Sequence, residues 1–111
     1  MNRTFIETRY FTNKWHSLGF SDDALRELQQ ELLENPKKGP VMSGCGGLRK
    51  VRFALEDNRG KSHGVRVCYI DISARYEIHL IDVFAKGEKE NLSQKERNDI
   101  KQLVMFIKEH G

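Results

Sequence analysis

The stretch GCGGLRKVRF, Gly44–Phe53, passes from three glycines in four residues straight into a run where cations alternate with apolar side chains. A period of two marks a β-strand, whose successive side chains point to opposite faces. Val51, Phe53 and Leu55 are therefore expected to enter a core, with Lys50 and Arg52 together on the other face. Arg49 has the opposite parity and can only assist them. Gly44, Gly46 and Gly47 read first as a turn with positive φ, and less readily as a cradle for phosphate.

Outward from this stretch the chain divides into a helical half and a strand-rich half. Arg3 to Glu7 reads as a short strand. Tyr10 to Leu18 places Phe11, Trp15 and Leu18 on one helical face. Gly19 ends that helix, and Ser21 caps a second one with Asp22 and Asp23 in its first turn. Leu25, Leu28 and Leu32 repeat on one face until Asn35-Pro36 stops it. The two helices are expected to form an antiparallel hairpin over one sheet face.

Beyond Pro36, a short strand over Lys38 to Met42 and a stronger one over Leu48 to Leu55 are expected. The loop from Asp57 to Gly64 is rich in turn formers and leads to strands over Val65 to Ser73 and Tyr76 to Phe84. Val65, Val67 and Tyr69 alternate with Cys68, Ile70 and Ile72, so the third of these strands should be central and covered on both faces except at Arg66. Ser93-Gln94-Lys95-Glu96 is a capping box, followed by the apolar stripe Ile100, Leu103, Val104 and Ile107. That stripe covers either the sheet or a segment of a partner. The predicted order is β-α-α-β-β-β-α, an α+β fold in one domain spanning residues 1–111, with no repeat or linker.

With 111 residues, the chain can bury roughly two thirds of its surface without metal or disulfide support. No apolar run approaches the ~20 residues of a membrane span, and the N-terminus has no apolar signal segment. Cys45 and Cys68 lie outside any CxxC, and the expectation is free thiols in a reducing cytoplasm. From Pro36 to Arg75 nine cations face three acids, whereas the remainder holds ten cations and thirteen acids. Positive potential is thus concentrated in the middle of the chain, as a polyanion-binding surface requires.

His16, His63, His79 and His110 are scattered without metal-ligand spacing, so neither a metal site nor a cofactor is expected. Asp82 has no second carboxylate at useful spacing in the sequence. The chemical tools left are cations, which suit RNA because its own 2′-hydroxyl can attack the phosphate. The catalyst then has to position the chain and stabilise the phosphorane. Arginine offers a planar fork of donors to phosphate oxygens, and lysine can exchange a proton with a reacting oxygen. Lys50, Arg52 and Arg66 are the candidate set, provided adjacent strands bring them to one face. Lys37, Lys38, Arg59 and Lys61 fit contacts to an RNA backbone. Phe84 reads as core, with base stacking as the alternative.

Asn35-Pro36 followed by Gly39, then Gly44-Cys45-Gly46-Gly47-Leu48-Arg49-Lys50-Val51-Arg52, then Gly64-Val65-Arg66-Val67-Cys68-Tyr69, resemble the RelE/ParE toxin superfamily. Within it they are most similar to the HigB-like branch of RelE toxins, with its N-P-x-x-G and G-x-G-G-L-R-K-x-R patterns. The similarity extends over nearly the whole chain, including Leu92-Ser93 opening the last helix. It implies a RelE-like microbial RNase fold with the element order above, and cleavage of mRNA at the ribosomal A site. It also implies restraint by a cognate antitoxin.

By this resemblance Lys50 and Arg52 match the family's basic pair, and Arg66 the arginine that stabilises the phosphorane. The stretch Ala85-Lys86-Gly87-Glu88 resembles the Gly-Lys-x-Glu segment of HigB-like relatives, which makes Lys86 a catalytic candidate and Lys89 an RNA-binding one. RelE has a tyrosine at the start of its final segment; this chain has none, and its general base stays unassigned. Two other readings use the same fold: a ParE-like, non-enzymatic inhibitor of DNA gyrase, and an RNA-binding domain without cleavage.

Overall fold

A computed structural model describes residues 2–54, 64–89 and 91–110. Strand β1 (Thr4–Glu7) leads into helices α1 (Arg9–Ser17) and α2 (Asp22–Glu34), followed by strands β2 (Arg49–Phe53), β3 (Val65–Ile72) and β4 (Glu77–Ala85) and helix α3 (Gln94–His110). The sheet order is β1-β4-β3-β2. β2, β3 and β4 pair antiparallel, and β1 adds to the far edge of β4 in parallel, a pairing the helical hairpin between them permits. The element order and the α+β class match the expectation from sequence.

Two cores form, one on each face of the sheet. Phe11, Trp15, Ala24, Leu28 and Leu32 of the hairpin pack against Val51, Phe53, Val65, Val67 and Tyr69. Trp15 anchors this layer, fully buried. Its ring stacks on Phe20 at 4.6 Å, and its indole N–H donates to the Ser21 carbonyl at 3.1 Å. On the other face Val104 of α3 joins Cys45, Leu48, Cys68, Ile70, Ile81 and Phe84. Lys50, Arg52 and Arg66 lie on this second face, on β2 and β3.

Several boundaries differ from expectation for local reasons. α1 starts one residue early because the Thr8 hydroxyl caps it, accepting the Phe11 N–H at 2.9 Å. β4 starts at Glu77 because Tyr76 takes a left-handed conformation in the preceding turn. The strand expected over Lys38 to Met42 is reduced to a single bridge, Val41 to Arg49. Pro40 has no N–H, so this segment offers β2 only carbonyls there, and Lys50 N–H donates to the Pro40 oxygen at 3.2 Å. In α3, Ile100, Val104 and Ile107 pack on the sheet, while Leu103 turns outward with 36 % of its surface exposed. Leu55, His63 and most of the Asp57–Gly64 loop lie outside the described residues. Among the described residues no helix is long and apolar enough to cross a membrane.

The Pro36–Gly39 segment is held as a strap by the buried Tyr69. Its hydroxyl donates to the Pro36 carbonyl at 2.8 Å and accepts the Gly39 N–H at 3.1 Å. Removing it strands two buried backbone groups, so Tyr69→Phe should cost about 1–3 kcal/mol. Urea unfolding checks this: an unchanged midpoint would mean that the strap is held by other contacts.

Candidate functional site

The register of β2, β3 and β4 decides which side chains meet. Arg52 lies directly opposite Arg66, Lys50 opposite Cys68, and on the next strand Arg66 lies opposite Phe84 and Cys68 opposite Asp82. Direct partners share a face, so Lys50, Arg52 and Arg66 stand together, as the alternation in the sequence implies. Lys50, Arg52 and Arg66 line a cavity of about 530 Å³ with Lys38, Gly39 and Pro40 of the strap. A second cavity, about 420 Å³, again has Arg52 and Arg66 in its wall and adds Lys86 from the end of β4. The two arginines are common to both, which makes them the centre of one cationic cleft.

The Lys50 ammonium lies 3.4 Å from the Asn91 amide oxygen, a neutral partner, and no described carboxylate forms an ion pair with Lys50, Arg52, Arg66 or Lys86. Lys38, by contrast, is paired with Glu31 at 3.0 Å, and Lys37 is exposed beside it. Like charges held side by side repel one another, and that repulsion is relieved by a bound phosphate.

Other candidates have different duties. The Arg49 guanidinium points to the strap and donates to the carbonyls of Gly39, at 2.7 Å, and Lys37. It positions the wall of the cleft. Phe84 is core, as the sequence reads first, and the base-stacking alternative is corrected: the ring is fully buried, and the Lys89 ammonium lies 5.0 Å from its centroid. Lys89 is in turn ion-paired with Glu96. Burial pulls the Lys89 pKa down, but the hydrogen bond and charge of Glu96, with Asp82 adding to them, outweigh it and hold the pKa above its ordinary value. Lys89 thus stays charged and bound within the protein. Arg59 and Lys61 lie outside the described residues.

The glycine turn is seated on α3. Gly44, Gly46 and Gly47 all have positive φ, and the Lys108 ammonium and the Arg97 guanidinium bind the carbonyls of Gly46 and Ser43 at 2.8 and 3.0 Å. It is a turn, as first read. Cys68 lies between Lys50 and Asp82 in the sheet, but burial pushes its thiol up to about 12, so it is no nucleophile at neutral pH.

Sequence reasoning missed three residues here. Asn91, which meets Lys50, gave no signal, because its contact depends on how the β4–α3 connection folds. The role of Tyr69 was hidden by its place in an apolar run. Asp82 was set aside for want of a second carboxylate, yet α3 brings Glu96 and Asp99 to the same groove. Burial raises the Asp82 pKa, with the charge of Lys89 opposing the rise.

An open four-stranded sheet with a helical hairpin on one face, a C-terminal helix on the other and a cationic cleft beside that helix is a RelE-like α+β architecture. No protein-family model matches the sequence. Among solved structures the chain is similar to a mutant of the E. coli toxin RelE in the free state, with a TM-score of 0.56 and 18% identity over 81% of this chain and 90% of that one. It is similar as well to the E. coli RelBE toxin–antitoxin complex, at TM-score 0.56 and 19% identity, covering 77% of this chain and 96% of that one. For the isolated E. coli RelE toxin the values are 0.55 and 19%, covering 93% of this chain and 99% of that one. At these identities the likeness establishes the RelE fold.

Proposed function

We propose that this chain is the toxin of a type II toxin–antitoxin system, of the HigB-like branch, and that it cuts translated mRNA at the ribosomal A site. The observation that carries the reading is the cross-strand pair Arg52 and Arg66, flanked by Lys50 and Lys86 in a cleft without a described carboxylate partner. Such a cleft fits a phosphodiester. The 2′-hydroxyl of the bound RNA gives its proton to solvent and attacks the adjacent phosphorus, whose bond to the 5′-oxygen breaks, and the guanidinium of Arg66 donates to the oxygens on which charge accumulates. Arg52 holds the neighbouring phosphate, and the ammonium of Lys50 or Lys86 gives a proton to the departing 5′-oxygen. The products are a 2′,3′-cyclic phosphate and a 5′-hydroxyl. Because RNA supplies its own nucleophile, the reaction needs no metal. The substrate places the activity in the cytoplasm, under the control of a cognate antitoxin.

The test is to induce the chain in cells and map RNA 5′ ends. In-frame cuts within translated codons, with 5′-hydroxyl termini, are expected. Intact mRNA together with inhibited DNA supercoiling would select gyrase inhibition instead. Intact mRNA with salt-sensitive RNA binding would leave a binding domain.

A further inference from the structure

A second recess lies outside the cationic cleft. A groove of about 320 Å³ runs between the first turn of α1 and the first half of α3, walled by Tyr10, Ile81, Asp82, Glu96, Asp99 and Leu103. Its floor is made by an irregularity in β4. Cys68 pairs with Asp82 but Tyr69 pairs with Leu80, so Ile81 is an extra residue, and a bulge of this kind turns two successive side chains toward one side. Ile81 and Asp82 therefore face the groove together.

The acids of the groove are unequal. Glu96 already holds Lys89, and Asp99 holds Lys95 at 2.9 Å. Asp82 is 5 % exposed, and its hydrogen-bond partner is the N–H of its own neighbour Val83, at 2.7 Å from Oδ1. Among the described residues no cation pairs with it. A buried carboxylate at the bottom of an apolar groove is costly unless a cation reaches it. The rim is apolar and open to solvent: Tyr10 is 55 % exposed and Leu103 36 %. Phe106, one turn beyond Leu103 on α3, is exposed as well. Arginine and lysine have an apolar stem and a charged head, which match such walls and floor in that order. With Glu96 and Asp99 paired, Asp82 is the groove carboxylate left to take a cation, which a protein side chain brings and RNA does not.

We propose that this groove docks a basic amphipathic segment of the antitoxin, which places an arginine or lysine head on Asp82 and apolar side chains against Tyr10 and Leu103. The proposal rests on the toxin reading for the identity of the partner. It adds a surface that shares no lining residue with the cleft.

The experiment measures binding of the antitoxin encoded in the same operon to the wild-type chain and to Asp82→Asn and Leu103→Glu. mRNA cleavage by each chain alone is measured in parallel. Each substitution should weaken binding roughly tenfold or more and leave cleavage unchanged, and Asp82→Asn should also make the remaining affinity less sensitive to salt. Leu103 is at the surface, so its variant keeps the test decisive even if Asp82→Asn lowers the unfolding temperature. Wild-type affinity in Leu103→Glu overturns the proposal. So does a wild-type chain that cuts mRNA but does not bind this antitoxin, in which case the catalytic reading stands. A chain that binds through the groove without cutting would keep the docking site and remove the nuclease.

Discussion

Replacing Arg66 with alanine should lower mRNA cleavage by roughly 10²–10³-fold, the usual loss when one preorganised donor to a developing oxyanion is removed. The effect should fall on kcat more than on KM, because Arg52 and Lys50 in the same cavity still attract phosphate. The domain should stay folded. Arg66 is half-buried and lies outside both apolar clusters, and Val65 and Val67 on either side of it carry the packing of β3. Arg66→Lys should recover only part of the rate, since an ammonium keeps the charge but loses the two-pronged geometry. Arg26→Ala is the control, an exposed cation on α2 paired with Asp23 that should change cleavage little. The measurement is single-turnover cleavage of a defined mRNA in translating extract. Full activity in Arg66→Ala would remove this residue from the mechanism and with it the significance of the Arg52–Arg66 pairing.

The ease with which this site could be read from the chain follows from strand geometry. Lys50, Arg52 and Arg66 sit in short strands whose alternation leaves two outcomes, same face or opposite faces, and a register between adjacent strands then settles it. Capping residues such as Ser21, and breaks such as Asn35-Pro36, act within a few residues and were visible for the same reason. What stayed hidden depends on distant segments meeting. The Asn91 contact to Lys50 spans 41 positions, and the bond from Tyr69 to Pro36 spans 33. The bulge at Ile81 has no marker in the sequence, because neither glycine nor a charge signals it, yet it turns Asp82 from a mid-strand residue into the floor of a groove. The burial of Phe84 was open for a related reason: whether an aromatic residue at a strand end is covered depends on α3 and Lys89, which arrive later in the chain.

Among the described glycines, Gly39 is the one where an added methyl would meet backbone most closely, and Gly39→Ala should be strongly damaging. A methyl group at this position would lie 2.5 Å from the Lys50 carbonyl oxygen and 2.8 Å from its carbon, both backbone atoms with little freedom to yield. Either the strap lifts from β2 or the Lys50 backbone moves. Lifting the strap breaks the Gly39 N–H bond to Tyr69 and the Arg49 bond to the Gly39 carbonyl. Overpacking of this kind together with lost buried hydrogen bonds should cost about 2–4 kcal/mol. Moving Lys50 displaces a cleft cation, and a shift of about 1 Å at a reacting centre can cost roughly 10²-fold in rate. Cleavage should therefore fall by that order even at temperatures where the variant is fully folded. Gly87→Ala is the matched comparison. It follows Lys86, its added methyl would meet nothing within 4 Å, and it should leave both stability and cleavage near wild type. Urea unfolding and cleavage assays on the two variants separate the effects. Equal stability and equal activity in Gly39→Ala and Gly87→Ala would show that the strap does not fix Lys50. In that case the N-P-x-x-G segment would have to be explained by something other than its contact with β2.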